Sequence, residues 1–238
     1  MNKIDLNKYI KIFIIFKMNL LNNVFRSRQV VTEMLDTRGY NVDKYTNYSL
    51  DEVDIMLRNM SKKVNYEMCP LDLECSNKND NNLKIYVKYL LQSKIRLVNL
   101  KNIIDDMIEN VVENDSEIIF IIKDKISNMA SYDNMFESYI TSNNIHIQVF
   151  SIESLLVNIT KHVLVPPLRI LNEDEKDKIL ETYRLNSLTQ LPIILKSDPV
   201  AKFYGVRKGD LCEIIRPSET SGVYINYRYV NKISINII

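Results

Sequence analysis

Tryptophan is missing altogether, and only two histidines, three cysteines and four glycines occur among the 238 residues. Each scarcity excludes something. Cys69, Cys75 and Cys212 are odd in number and scattered, which rules out a paired disulfide framework and a knuckle of two close cysteine pairs. His146 and His162 have no ligand-spaced neighbour and no Ser or Cys partner in a nucleophile motif, so a hydrolytic triad is excluded. With so few glycines, Gly205 and Gly209 stand at the wrong spacing for a phosphate-cradling loop. Excess charge of either sign is also absent: 31 basic and 30 acidic residues leave a net charge of +1. The whole chain therefore creates no strong field toward nucleic acid or an anionic membrane. Long apolar runs are missing too. Ile12 to Phe16, flanked by Lys11 and Lys17, falls far short of the about 20 residues that span a bilayer. It also lacks the longer core and cleavage site of a secretory signal. The chain reads as intracellular and reduced, with no membrane, metal or cofactor expected.

What is present is ordinary globular patterning, 46% hydrophobic and 26% charged. Residues 1–18, rich in Lys, Ile and Asn, read as an extension, with Met18 as an alternative start. Val24, Val30, Val31, Met34 and Leu35 fall at helical spacing over 24–37, and Gly39 supplies the stop. Ser49 caps a second helix over 50–60. A short strand is expected over 64–68, a polar turn over 77–82 and a strand over 83–90. A helix over 97–112 follows, then a buried strand over 117–123 around Ile118-Ile119-Phe120-Ile121-Ile122, a helix over 129–142 and a strand over 145–150. That alternation predicts an α/β layer.

Proline use then changes. Pro70 is the only proline before residue 160, whereas Pro166, Pro167, Pro192, Pro199 and Pro217 follow. The pair Pro166-Pro167 resists helix and marks a boundary near Val165. Asn172 caps a helix running to about Tyr183, with Glu173, Asp174 and Glu175 in its first turn. Asp198 caps a short helix with Pro199 at its first position, and Gly205 ends it. Residues 211–216 and 223–230 read as two strands joined by the polar turn Pro217 to Gly222.

Residue types alone raise two chemistries. Asp72 and Glu74 in an α/β domain invite a metal-dependent nuclease, but the Lys expected two positions after the second carboxylate is replaced by Ser76. Lys84, Lys88, Lys94, Arg96 and Lys101 form a basic cluster able to meet phosphates. Its plainer reading is a solvated face.

The segment from Leu191 to Tyr229 carries more. It contains Asp198-Pro199-Val200-Ala201-Lys202-Phe203-Tyr204-Gly205, then Arg207-Lys208-Gly209-Asp210. It continues with Ile214-Ile215-Arg216-Pro217-Ser218-Glu219-Thr220-Ser221-Gly222, then Tyr224, Tyr227 and Arg228. In order and nearly ungapped, this resembles the assembly domain of the fifth-largest shared subunit of eukaryotic RNA polymerases, a family with an archaeal homologue. Leu155 to His162, leading to Val165-Pro166, resembles the approach to that domain. Val24 to Tyr40 resembles the first helix and turn of the family's N-terminal jaw, which the archaeal form lacks.

The resemblance implies an α/β (α+β) protein with an extension (1–18), an N-terminal α/β jaw domain (19–158) and a small C-terminal mixed α/β assembly domain (159–238). It implies a non-catalytic subunit of DNA-directed RNA polymerase, acting in transcription. The C-terminal domain would dock on the largest polymerase subunit within the polymerase core, and the jaw would lie near downstream DNA. Homo-oligomers are not expected. Phe203, Tyr204, Arg207, Arg216, Tyr224 and Arg228 are the candidate partner-binding residues, either at the docking surface or in the core behind it. The jaw's Thr-Pro-Ser-Ala turn is altered here to Ser127-Asn128-Met129-Ala130, leaving Lys123, Lys125 and Ser127 as the DNA-proximal candidates. A eukaryotic form implies the nucleus. A copy carried by a large DNA virus implies a viral factory in the host cytoplasm, or the virion. The rival readings are a free-standing transcription adaptor and the nuclease.

Overall fold

The computed structural model describes residues 3–60, 67–92, 95–113, 115–126, 129–220 and 222–231, with side chains from residue 19 onward except at Ala130. The chain divides into two compact units, 1–157 and 158–238.

The first unit opens with helix α1 (Lys3–Thr37), so the helix expected from Val24 continues back through the residues read as an extension. It ends at Gly39, whose φ of +86° only a residue without Cβ adopts cheaply. The Tyr40 amide then donates to Leu35 O at 3.0 Å. Helix α2 (Leu50–Arg58) begins with a capping box, in which the Ser49 side chain accepts from the Glu52 amide and the Glu52 carboxylate from the Ser49 amide. Four strands follow, β1 (Leu73–Ser76), β2 (Lys84–Leu90), β3 (Glu117–Ile122) and β4 (His146–Ser151), interleaved with α3 (Leu97–Asn110) and α4 (Met129–Asn143). The sheet order is β1-β2-β3-β4, antiparallel at its first pair and parallel after that. Of the strand expected over 64–68, residues 64–66 lie outside the described residues, and Glu67 and Met68 are not in a strand.

Side chains alternate across a strand, and here both faces are covered. Ile118, Phe120 and Ile122 join Tyr86, Leu90, Ile147 and Val149 under Leu100, Ile104, Met107 and Phe136 of α3 and α4. Residues of the opposite parity meet α1, where Ser27 Oγ lies 3.4 Å from Tyr89 Oη and Arg38 Nη2 donates to Gln148 Oε1 at 2.8 Å. A strand buried on both faces has no need of polar alternation, which explains the unbroken apolar run of β3.

The second unit holds β5 (Leu168–Ile170), α5 (Glu173–Tyr183), β6 (Ile193–Leu195), α6 (Pro199–Phe203), β7 (Leu211–Ser218) and β8 (Gly222–Asn231). Its sheet order is β5-β7-β8-β6, with β6 parallel to β8 and the other pairs antiparallel. Leu168, Ile194, Ala201, Val206, Cys212, Ile214 and Val230 form its core. The protein is thus α+β, with two mixed sheets among the described residues. No described helix is long and apolar enough to cross a membrane.

Candidate functional site

The C-terminal hairpin is longer than its sequence suggests. Ser218 pairs with Gly222, so β7 and β8 extend into the expected turn, shorten it and carry Pro217 inside a strand. The backbone explains this. The Ile215 amide donates to Pro167 O at 3.2 Å, so the amide position two residues on faces the same side, where β5 has already ended. Proline at 217 therefore costs no ladder bond. Beyond Ile215 the two strands form a ribbon, with no third strand beside β7 among the described residues.

Cross-strand pairs share a face, which sorts the candidates. Cys212 pairs with Arg228, Ile214 with Asn226 and Arg216 with Tyr224. All three pairs lie on the core face, the first two beside the core and the last beyond it. Tyr224 is 54% exposed and Arg216 is exposed. Arg228 is half-buried, its Nη1 donates to Ile193 O at 3.4 Å, and its buried Nε has no partner among the described residues. The opposite face pairs Ile215 with Ile225 and Pro217 with Val223. Val223 is 58%, Ile225 44% and Ile215 38% exposed. An apolar strip on one side of a ribbon and an Arg–Tyr pair on the other is an interface composition. Nearer the core this second face turns polar. Arg169 bridges Glu213 and Glu175, and Tyr183 meets Tyr227 edge-on at 6.0 Å between ring centroids.

The α6 corner holds the remaining candidates. Asp198 Oδ1 accepts from the Val200 and Ala201 amides at 2.9 and 3.1 Å, fixing the short helix. Phe203 is buried and stacks edge-on to Tyr204, which is half-buried against the core. Arg207 is exposed, and its amide donates to Asp210 Oδ2 at 2.6 Å, closing the turn into β7. The structure therefore brings Arg216, Tyr224 and Arg228 onto one face and sets Phe203 behind the surface. Ile215, Val223 and Ile225 were missed. The signal was present: in a strand Ile214 and Ile215 cannot both face one core.

In the first unit, Lys123 and Lys125 follow the carboxyl end of β3, and Arg96 follows that of β2. Loops at this end of parallel strands are the usual ligand-facing edge. Lys125 is exposed and sits 3.8 Å from Glu153, a loose surface pair. Ser127 and Asn128, of the altered jaw turn, lie outside the described residues, as does Lys94.

The basic cluster does not form a single solvated face. Lys84 pairs with Glu113 at 2.6 Å, whereas Lys88 is buried, with Nζ 2.6 Å from Glu67 O and 3.2 Å from Asp72 Oδ2. Asp72, one of the two carboxylates that invite the nuclease reading, is buried. Its oxygens accept from the Cys69 and Tyr89 amides at 2.7 and 2.8 Å. Filled in this way, they are not open to a metal ion. No cluster able to hold a metal occurs among the described residues. Burial pushes the thiols of Cys75 and Cys212 up to about 12, which removes them as nucleophiles.

Comparison with known proteins agrees with this layout. The family model described as RNA polymerase Rpb5, N-terminal domain, matches residues 19–107, and that described as RNA polymerase Rpb5, C-terminal domain, matches residues 157–230. A relative from Caenorhabditis elegans, "DNA-directed RNA polymerases I, II, and III subunit RPABC1", is 33% identical over 218 residues, covering 87% of this chain and 95% of its own. The protein of the same description in Dictyostelium discoideum is 30% identical over 208 residues, covering 87% and 97%. The chain belongs to the RNA polymerase Rpb5 family, whose relatives are named as subunits of DNA-directed RNA polymerases.

Proposed function

We propose that this chain is a polymerase subunit without an active site of its own. It docks through its C-terminal unit on the largest polymerase subunit, while the N-terminal unit, the jaw, faces downstream DNA. The observation that carries the docking reading is the β7–β8 ribbon, which leaves Ile215, Val223 and Ile225 exposed on one side and Arg216 and Tyr224 on the other. Aromatic, aliphatic and Arg side chains supply the centre of most protein interfaces. A near-neutral chain suits a scaffold held by such contacts. Arg228 lies on the same face of the ribbon as Arg216 and Tyr224, whereas Phe203, Tyr204 and Arg207 belong to the α6 corner and its turn into β7. Absence of catalysis is supported by the occupied carboxylate of Asp72 and the buried thiols. In a eukaryotic cell this reading places the protein in the nucleus. A viral polymerase would place it in the host cytoplasm or the virion.

Co-purification tests the docking. Arg216→Ala and Ile225→Asp are each expected to weaken capture of the largest subunit by about 2 kcal/mol or more, roughly thirtyfold. Unchanged capture by Arg207→Ala, Arg216→Ala and Ile225→Asp together would remove the ribbon from the interface. For the jaw, the pair Lys123→Ala and Lys125→Ala is expected to lower the salt dependence of downstream DNA binding by the assembled polymerase. The expected change is about one unit of slope for each phosphate that is no longer neutralised. An unchanged slope would detach these lysines from DNA.

A further inference from the structure

The N-terminal unit contains a buried cation that the docking reading does not use. Arg28 of α1 is only 3% exposed. Its Nη1 donates to Leu71 O at 2.5 Å, while Nε and Nη2 are buried and have no hydrogen-bond partner among the described residues. Those two nitrogens form the side-on edge of the guanidinium, whose parallel N–H groups match the two oxygens of a carboxylate. A guanidinium cannot shed its charge to escape burial. Two tyrosine rings compensate it in part: its central carbon lies 4.8 Å from the Tyr48 ring centroid and 5.8 Å from that of Tyr45. Neither ring offers an acceptor to the open edge. Arg28 also lines a cavity of about 360 Å³ between α1 and the 42–49 segment, whose walls include Thr32, Glu33, Tyr45, Asn47 and Tyr48, although its Nε and Nη2 are themselves closed to solvent. That volume is at the small end of the range for ligand sites, roughly 300 to 1,000 Å³.

We propose that this cavity binds a carboxylate, seated side-on against Nε and Nη2 of Arg28. Three features point to a carboxylate. The open donors come as a parallel pair rather than as a single group. Thr32 and Asn47 add polar groups to the wall. Glu33 in the same wall repels a second negative charge, which disfavours a phosphate dianion relative to a monoanion. Because Nε and Nη2 are closed to solvent, a carboxylate reaches them only when a wall side chain moves, and the Tyr48 ring stacked on the guanidinium is the one the geometry points to. Its hydroxyl is tied by an exposed hydrogen bond to Lys44 O at 3.1 Å, which competes with water and is cheaply broken. The carboxylate belongs either to a small free acid or to an acidic side chain of another protein segment, and the two share this chemistry.

The test follows the Arg28 Nε–H resonance in the full-length chain by NMR at constant ionic strength. Acetate, a blocked Gly-Glu-Gly peptide, inorganic phosphate and chloride serve as the probes. Acetate and the peptide are expected to move the signal saturably, chloride not at all. Peptide binding about ten times tighter than acetate assigns an acidic side chain, and equal binding a small free acid. Binding is also expected to shift the Thr32 and Asn47 amides in the cavity wall, and Arg28→Lys, which keeps the charge but loses the fork, is expected to abolish those saturable amide shifts. Tyr48→Leu, which opens the cavity without touching the fork, is expected to retain them. No saturable shift with either carboxylate, an equal response to chloride, or tighter binding of phosphate would overturn the proposal.

Discussion

Lys88 is the residue at which charge and position conflict most. It lies in the middle of β2, 2% exposed, between neighbours that are also buried. Its ammonium is held by Asp72 and Glu67 O, and Asp72 in turn holds the Cys69 and Tyr89 amides, so every charge in the group has a partner. A satisfied buried pair adds little net stability, but removing one member strands the other. Lys88→Met is therefore expected to lower unfolding free energy by about 3–5 kcal/mol. Adding Asp72→Asn to it, which removes the unpaired charge while its amide oxygen still accepts from one of the two amides, is expected to recover part of that loss, as urea denaturation would show. A Lys88→Met chain as stable as the parent would mean the pair carries no such role. Thiol chemistry gives a second check at this scale. Cys69 is half-exposed, whereas burial holds Cys75 and Cys212 as thiols with pKa values near 12. A disulfide reagent at mildly alkaline pH is expected to label Cys69 alone in the native chain and all three cysteines after denaturation.

At the scale of elements, two helices begin with the same device. Glu52 closes the capping box of α2 and Glu175 that of α5. Hydrogen bonds to Ser49 lower the pKa of Glu52. For Glu175, Arg169 contributes most and the Asn172 amide next. A lowered folded-state pKa means the stabilisation is present above the ordinary value of 4.5 and is lost as pH falls through the lowered one. The first turns of α2 and α5 are thus expected to exchange amide hydrogens faster as pH drops below that value. Glu52→Gln should remove this acid response at α2, because Gln completes the box without titrating. Persistence of the response in Glu52→Gln would rule out the carboxylate as its source. These boxes were half legible in the sequence, since Ser49 and Asn172 stand where caps belong. So were α3, β3, α4 and β4, whose apolar periods are long and unbroken. The three short strands were not. β5 and β6 have three residues each beside Pro167 and Pro192, too few for any period, and exist because β7 and β8 lie far along the chain to pair with them. β1 was hidden for a related reason, and Lys88 looked solvated because its partner Asp72 precedes that unseen strand. The docking candidates fared in the same way. Arg216 and Tyr224 stand out as residue types, but that they face each other, and that Ile215 and Ile225 back them from the far side, depends on a register no local pattern contains.

The molecule as a whole is two units, each with a core drawn from its own residues. That of the second contains Leu168, Ile194, Ala201, Val206, Cys212, Ile214 and Val230, all C-terminal to the division at Asn158. All three strand pairings of its sheet are internal to it, as are both of its capped helices. Domains of this size lie near the lower limit for folding alone, where a closed hydrogen-bond ladder and an intact core decide the outcome. Residues 158–238 expressed by themselves are therefore expected to give a dispersed amide spectrum and a cooperative thermal transition. They are also expected to capture the largest polymerase subunit, because the proposed ribbon travels with them. Ile225→Asp in that fragment separates folding from docking. The substituted side chain is exposed, so the transition should survive while capture weakens roughly thirtyfold, as in the full chain. A fragment that folds but fails to capture would move the docking surface into residues 1–157. A fragment that fails to fold would show that the C-terminal core needs the rest of the chain.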